Sequence, residues 1–235
     1  ATLASYTLAT GELTLWNTTQ NPHIVRYLSS LVCGLGEDKI RVIAPEVGGG
    51  FGSKIAVYPA DFITIFCSMQ LGRPVKWNET RSENYQATTH GRDHVTHAEL
   101  ALDGSGNFLG LRVQTLANIG AYISTFGANI PSAIYTALLA GVYKTPAIHV
   151  EVTGVFTNTN PTAPYRGAGR PEASYAIERV IATAAREMGI DRAEIRRRNM
   201  IPADAMPYAT GFVYTYDSGE FASNMDQALD AAGAA

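Results

Sequence analysis

The sequence carries little charge, and what it has is nearly balanced. Charged residues make up 17% of the 235 residues, and the formal net charge is −3. A basic surface that attracts nucleic acid or an anionic membrane is therefore not expected. No apolar run reaches the roughly 20 residues that span a bilayer. The N-terminus lacks a charged segment followed by an apolar one, so no signal peptide is expected. These absences favour a cytoplasmic protein with no nucleic-acid or membrane partner.

Cysteine is scarce as well. The chain has only Cys33 and Cys67, whereas an iron–sulfur cluster usually needs four cysteines. Both lie in apolar runs with helical spacing, and we expect buried thiols in a reducing compartment. The first residues, Ala1-Thr2-Leu3-Ala4, are not a natural initiator sequence, so we expect a piece of a longer polypeptide.

Hydrophobic residues make up 46% of the chain, enough for a buried core. Alternating apolar residues predict strands at 3–8, 12–17, 39–44, 75–77, 93–102, 107–118 and 147–158. Helical spacing and end signals predict helices over about 22–33, 56–69, 132–139, 171–188, 191–199 and from 221 onward. Residues 78–90 and the tyrosine-rich stretch around 208–216 are predicted as loops. Since strands and helices do not alternate strictly, the pattern indicates an α+β fold with mixed sheets and packed helices.

The most unusual stretch is Val47-Gly48-Gly49-Gly50-Phe51-Gly52-Ser53-Lys54, between a predicted strand and a predicted helix. Such a turn presents several N–H groups in one direction, which suits an anionic or electron-rich ligand. Three standard motifs do not fit. A phosphate-binding P-loop requires glycine directly before the lysine, and a dinucleotide fingerprint requires its third glycine at the same place, where Ser53 stands. The downstream residues of a protein kinase are missing.

Other polar clusters have simpler explanations. His90, His94 and His97 are close in sequence, but positions 94 and 97 of a strand face opposite sides, which disfavours a metal site. The run Arg196-Arg197-Arg198 lies near a helix end where cations are favoured anyway. Gly34-Leu35-Gly36-Glu37 is best explained as a helix stop followed by a turn.

A second glycine-containing turn, Tyr165-Arg166-Gly167-Ala168-Gly169-Arg170, follows far downstream. Together with the first glycine turn and Thr19-Gln20-Asn21, it resembles the large subunit of the molybdenum hydroxylases, which include xanthine dehydrogenase, aldehyde oxidoreductase and aerobic carbon monoxide dehydrogenase. The resemblance covers essentially the whole chain. Each motif alone is weak, and their order and separation make the signal specific.

The resemblance implies a role for each matching position. Gln20 matches a glutamine that donates a hydrogen bond to the apical oxo group of the molybdenum, the one catalytic residue expected here. Phe51 matches the aromatic residue of the loop beside the metal and its pterin dithiolene. Gly49, Gly50 and Gly52 match cofactor-binding glycines, and Gly50 and Gly52 are expected to keep side chains out of the cofactor's volume. At one of these two positions at least, valine would then leave the isolated domain nearly normally folded.

The second turn is expected to contribute Arg166, Gly167 and Ala168 to the cofactor site. No side chain is expected to bind molybdenum directly, since the resemblance implies that the metal is held through the pterin, which is expected in its cytosine dinucleotide form. Purine-oxidising members have a glutamate at Ile55, an arginine near Ile134 and a phenylalanine at Ala168. Copper-containing carbon monoxide dehydrogenases have a cysteine at Gly167. These departures argue against purine oxidation and against a copper–molybdenum site, and the turn resembles that of the form II members.

The family's general base is a glutamate in a C-terminal Gly-x-Gly-Glu motif, which we expect to lie outside residues 1–235. The resemblance thus implies a molybdopterin-binding fragment of a larger subunit, inactive alone. The intact enzyme would oxidise an aldehyde or an N-heterocycle with oxygen derived from water, and would pass electrons to iron–sulfur and FAD partners. Two alternatives stay open: a cofactor-free interaction or scaffold domain of the same fold, and a nucleotide-binding enzyme.

Overall fold

The computed structural model describes residues 1–233 and divides the chain into two compact units. The first unit combines Ala1–Gly91, Ile119–Ala128 and Phe156–Ala168. The second unit contains Arg92–Asn118, Asn129–Val155 and the described residues from Gly169 onward. Each unit has a sheet and helices of its own, as the α+β prediction requires.

The first unit is built on a mixed four-stranded sheet. Its elements in chain order are β1 Thr2–Thr7, β2 Glu12–Asn17, α1 Pro22–Cys33, β3 Ile40–Ile43, α2 Pro59–Leu71, β4 Val75–Trp77 and α3 Arg81–Ala87. The strand order is β3-β2-β1-β4. The β1–β2 and β1–β4 pairs are antiparallel, whereas β2 and β3 are parallel. The carboxyl ends of β2 and β3 therefore lie at the same edge of the sheet, and each leads into one of the predicted site loops.

Helix α2 buries a different face from the one its apolar residues predict. Ile63 and Phe66 are 61% and 60% exposed, while Asp61, Thr64 and Ser68 are buried. The buried polar groups have hydrogen bonds: Asp61 accepts from the Tyr58 N–H and from Asn17 Nδ2 at 3.0 and 2.7 Å, and the Ser68 hydroxyl donates to a backbone carbonyl. Satisfied polar side chains can be buried without the penalty of an unpaired group.

The cysteine prediction is correct only in part. Cys33 and Cys67 are free thiols, but both are half-buried rather than buried. Burial raises the pKa of the Cys33 thiol above its usual value.

The predicted loop at 78–90 contains a helix instead, α3. Thr80 caps this helix, because its hydroxyl accepts from the Glu83 N–H at 3.3 Å while the Glu83 carboxylate accepts from the Thr80 N–H at 2.6 Å. This reciprocal pair is a capping box, for which Thr-x-x-Glu is the sequence signal. The polar composition of the stretch concealed the helix.

The second unit packs a three-stranded sheet against helices. Its elements are β5 His94–Leu102, β6 Phe108–Gly120, a π-helical turn Ile130–Ile134, α4 Tyr135–Ala137, β7 Ile148–Phe156, α5 Arg170–Met188, α6 Arg192–Asn199, β8 Tyr208–Ala209, β9 Thr215–Tyr216 and α7 Phe221–Ala232. The sheet order is β5-β6-β7, and β5 and β6 form the predicted hairpin. The predicted tail loop contains a short two-stranded ladder, β8–β9.

The core of the second unit lies between one sheet face and α5. Leu111 and Val113 of β6 contribute to it, together with Ile177 and Ile181 of α5. Alternate residues of β6 are buried, as expected when a sheet covers a core with one face only. Among residues 1–233, no helix is long and apolar enough to cross a bilayer.

Candidate cofactor-binding site

The first site loop is the glycine loop, Val47–Lys54, between β3 and α2. Gly48, Gly49, Phe51 and Gly52 all have positive φ, at 67°, 93°, 50° and 96°. A left-handed conformation is strained for phenylalanine, and such residues persist only where their surroundings impose them. The Phe51 side chain is nevertheless 56% exposed. Its ring is therefore held at the surface by the backbone rather than buried as core.

Gln20 joins the glycine loop from the end of β2. Its backbone N–H donates to the Lys54 carbonyl at 3.0 Å, and its side-chain Oε1 accepts from the Gly52 N–H at 3.0 Å. Because an N–H can only bond to the oxygen of the amide, the Nε2 group is the donor that Gln20 offers to a ligand. The residue is exposed.

The second site loop, Pro164–Ala168, meets the glycine loop at Phe51. The Arg166 N–H donates to the Phe51 carbonyl at 2.9 Å. The Arg166 guanidinium lies 5.2 Å from the centroid of the Phe51 ring, within range of a cation–π interaction. Gly167 and Ala168 have positive φ, at 100° and 44°. The structure thus brings Gln20, the glycine loop and Arg166 together within the first unit, as the sequence predicted.

The glycines make room for the protein's own loops, a steric role that the sequence did not reveal. A Cβ on Gly52 would lie 2.1 Å from the Pro164 backbone oxygen, and a Cβ on Gly50 would lie 2.1 Å from Oε1 of the Gln20 side chain. At Gly49 it would lie 2.5 Å from the Phe51 ring. Because the contact at Gly52 is with backbone, valine there is expected to destabilise the fold. At Gly50 only a side chain stands in the way, so the expectation that valine at one of the two positions leaves the isolated domain folded stays a prediction.

Lys54 is a site residue whose role the sequence did not reveal. Its carbonyl accepts from both the Gln20 N–H and the Thr19 hydroxyl, the latter at 3.1 Å. Its ammonium group donates to the carbonyl of Val47, at the other end of the same loop. Lys54 therefore closes the glycine loop and fastens it to the Gln20 segment. The sequence signal that could have indicated this role is a lysine two residues after the last glycine of the loop.

The buried carboxylate of Asp61 supports the glycine loop through Tyr58. Tyr58 donates its hydroxyl to the Ser53 carbonyl at 2.6 Å, and its N–H donates to Asp61. Burial raises the pKa of Asp61, against the lowering effect of the hydrogen bonds from Tyr58 and Asn17. Thus α2 contributes polar anchors to the loop rather than apolar packing alone.

The Gly-x-Gly-Glu segment near the N-terminus is structural, as predicted. Gly34 ends α1 in the left-handed conformation, with φ of 68°. Glu37 follows in a short 3₁₀ turn and forms an ion pair with Arg26 at 3.1 Å. The carboxylate is partly exposed and engaged with an arginine of the preceding helix, so this motif terminates α1.

The chemistry of the three loops fits a cofactor that is rich in hydrogen-bond acceptors. The side chains that reach the surface here, Gln20 and Arg166, are donors, and Phe51 adds an aromatic face. Among residues 1–233, no group of three His, Cys, Asp or Glu side chains could hold a metal ion, the histidines of the 90–97 stretch included.

Comparisons with known proteins agree with this geometry. The family model described as a molybdopterin cofactor-binding domain matches residues 1–200. The carbon monoxide dehydrogenase large chain of Hydrogenophaga pseudoflava is 40% identical over 232 residues, which cover 97% of this chain and 29% of the relative. The nicotine 6-hydroxylase large subunit of Paenarthrobacter nicotinovorans is 34% identical, with 95% of this chain and 28% of the relative covered.

Among solved structures, quinoline 2-oxidoreductase from Pseudomonas putida 86 superposes with a TM-score of 0.95 at 35% identity. The match covers 99% of this chain and 30% of that one. The chain thus spans under a third of the length of these relatives. With the matching family model over most of its length and the three loops converging, the chain belongs to the molybdopterin cofactor-binding domain family.

Proposed function

We propose that this chain is the part of a larger subunit that holds a molybdenum–molybdopterin cofactor in an oxidoreductase. The observation that carries the proposal is the convergence of Gln20, the glycine loop and Arg166 in one unit. A cofactor-free scaffold would have no need to hold an exposed aromatic in strained backbone beside an arginine and an amide donor. The nucleotide-binding alternative lacks its defining motifs.

The residues have distinct tasks in this proposal. Gln20 would hold the cofactor by donating from Nε2, because its Oε1 is already held by the Gly52 N–H. Phe51 and the adjoining glycines would hold the pterin from one side. Arg166, Gly167 and Ala168 would hold it from the second loop. When bound, the cofactor supplies the two-electron oxidation chemistry and the water-derived oxygen, while the chain positions donors before the charge changes, which is the main electrostatic means of catalysis.

An N-heterocycle or an aldehyde is the substrate class that we favour. Gly167 offers no thiolate for copper, although the relatives include a copper- and molybdenum-containing carbon monoxide dehydrogenase. Ile55 and Ala168 replace the residues expected of purine-oxidising members. Two relatives are named nicotine 6-hydroxylase and quinoline 2-oxidoreductase. Both names refer to a ring carbon next to a nitrogen, which favours an N-heterocycle as the substrate.

The remaining parts of the enzyme lie outside these residues in our proposal. They are the catalytic glutamate base, further regions of the same subunit, and iron–sulfur and FAD partners that accept electrons. We also propose the cytosine dinucleotide form of the pterin and a cytoplasmic location. Residues 1–235 alone would be inactive for lack of the base.

The test compares two Gln20 variants in the intact enzyme. Gln20→Glu keeps an oxygen for the Gly52 N–H and removes the donor, whereas Gln20→Ala removes both. We expect Gln20→Glu to retain most molybdenum but to lose about 100-fold or more in turnover per molybdenum, as when one donor to a developing charge is removed. Gln20→Ala should lose molybdenum as well.

Two outcomes would contradict the proposal. If Gln20→Glu loses molybdenum while keeping its activity per molybdenum, Gln20 is a binding residue only. If the purified intact enzyme contains neither molybdenum nor pterin by elemental analysis and mass spectrometry, the chain is a cofactor-free domain.

A further inference from the structure

The second unit contains a groove between β5 and α5, with a volume of about 970 Å³. His94, Thr96 and Ala98, which are alternate residues of β5, line one side. One stripe of α5 lines the other, with the three- and four-residue spacing of a helix face: Glu172, Tyr175, Ala176, Arg179, Val180 and Thr183. At about 1.5 Å per helical residue, the stripe is roughly 17 Å long. The groove is therefore elongated.

One end of the groove holds buried polar atoms without hydrogen bonds. The Glu172 side chain is only 9% exposed, and its Oε2 accepts no hydrogen bond among the described residues. The Nε of Arg92 lies 3.9 Å away, too far for one. The Nδ1 of His94 is also buried without a partner. Buried polar groups are normally satisfied, so both atoms indicate that the groove receives a polar group.

The rest of the groove and its border suit an extended polypeptide. Beyond the polar end, Ala98, Ala176 and Val180 give it an apolar lining. The neighbouring strand β5 is the edge of its sheet, and an edge strand presents a row of N–H and C=O groups that another strand can pair with. Tyr175, which is 69% exposed, stands beside the groove as a flat apolar surface.

We propose that an extended segment of the same subunit, from outside these 235 residues, lies in this groove against β5. The proposal rests on the proposed function to the extent that it takes the chain as part of a larger subunit. Relatives that match nearly all of this chain devote less than a third of their length to the match, which leaves ample chain to supply such a segment.

The charges at the Glu172 end of the groove indicate which kind of chemical group the segment places there. Arg92 already lies 3.9 Å from the carboxylate of Glu172, and Arg179 adds a second positive charge farther along the same groove. A third cation would be repelled, so the group that reaches Glu172 Oε2 is a neutral donor, such as a backbone N–H or a hydroxyl. Small apolar side chains of the segment lie over Ala98 and Val180.

Site-specific photo-crosslinking in the intact enzyme tests the proposal. A photoreactive phenylalanine analogue replaces either Tyr175 or Ser174, which are adjacent and exposed, but only Tyr175 lines the groove. Position 175 should crosslink to a peptide of the same subunit outside residues 1–235, at least ten times more than position 174 does. Equal yields at both positions would overturn the proposal, and so would crosslinks to another subunit or to residues 1–235 alone.

Hydrogen–deuterium exchange provides a second measurement that does not depend on crosslinking. The β5 amides that do not bond to β6 should be protected in the intact enzyme, and Tyr175→Asp or Glu172→Gln should reduce that protection, with Ser174→Asp as the matched control. Lack of protection at these edge-facing amides would overturn the proposal, as would a small molecule released from the groove on denaturation. These readouts do not require molybdenum, so they remain interpretable if the proposed function fails.

Discussion

Two glycine-containing turns of this chain hold their shape by different means. The hairpin turn between β5 and β6 takes its shape from a carboxylate of its own: Asp103 accepts from the N–H groups of Ser105 and Asn107, both at 2.9 Å, and from the Asn107 side chain. The glycine loop is closed by Lys54 but is held in place from elsewhere in the chain, since Gly52 bonds to Gln20, 32 residues away, and Phe51 to Arg166.

The difference explains why one turn is only a connector and the other is a site. Arg198 and Asn199 of α6 donate to the hairpin turn's carbonyls, and these bonds attach a turn whose own Asp103 already bonds its N–H groups. A loop held by two distant segments is rigid only in the folded protein, and it can keep Phe51 exposed and strained for a ligand. Four substitutions would test this contrast, and they follow from the largest expected effect to the smallest.

Gly52→Ala should have the largest effect, and Gly48→Ala is its control. Both glycines have positive φ, but a Cβ at Gly48 meets nothing within 4 Å, whereas at Gly52 it overlaps the Pro164 backbone. The control should lose about 1–2 kcal/mol from backbone strain alone. Gly52→Ala should lose about 3 kcal/mol or more and most of the molybdenum. Unfolding and metal analysis of the intact enzyme measure both, and equal losses would mean that the loop contact is unimportant.

Lys54→Met should have the second-largest effect, because it removes the ammonium group that donates to the Val47 carbonyl while keeping the aliphatic chain. Loss of a hydrogen bond to a charged group costs about 1.5–3 kcal/mol. Lys54→Arg retains a donor and should recover part of the stability and of the molybdenum content. If methionine and arginine behave alike in both measurements, the ammonium does not close the loop.

Phe51→Gly should change stability by less than about 1 kcal/mol. Glycine relieves the strain of a positive φ, worth about 1–2 kcal/mol, and it loses a cation–π contact worth about 0.5–1 kcal/mol together with backbone order. Turnover per molybdenum should nevertheless fall. Phe51→Leu, which keeps the strain and loses the contact, should be less stable than Phe51→Gly in the same melting experiment.

Asp103→Ala should have the smallest effect on the site. It should lower the melting temperature slightly and leave molybdenum content and turnover unchanged. Hydrogen bonds from Asn107, Ser105 and Gly106 lower the pKa of Asp103. The stabilisation that this carboxylate provides is therefore fully present above its unfolded-state pKa of about 4 and is lost as the pH falls from there through its lower folded-state pKa. Melting curves of the variant and the wild type should converge at that acidic limit, whereas a loss of molybdenum would make the hairpin part of the site.

Local signals in the sequence were enough for most elements. The hairpin, the end of α1 at Gly34 and the start of α5 near Pro171 depend on residues adjacent in the chain. The capping box of α3 was a local signal of the same kind, and the polar composition around it hid it. For α2 the sequence misled, because burial of Asp61 and Ser68 depends on distant hydrogen-bond partners that periodicity cannot reveal.

The sequence by itself determined the α+β elements, the three candidate loops and the family resemblance, because turn chemistry and residue spacing are properties of short stretches. Only the tertiary structure decided that Gln20 turns its oxygen to Gly52, so that its nitrogen is the group that could donate to the proposed cofactor. It also decided that the glycines make room for the protein's own loops, and that Lys54 fastens them. These features depend on distances between residues far apart in the chain, which folding sets and which no local pattern specifies.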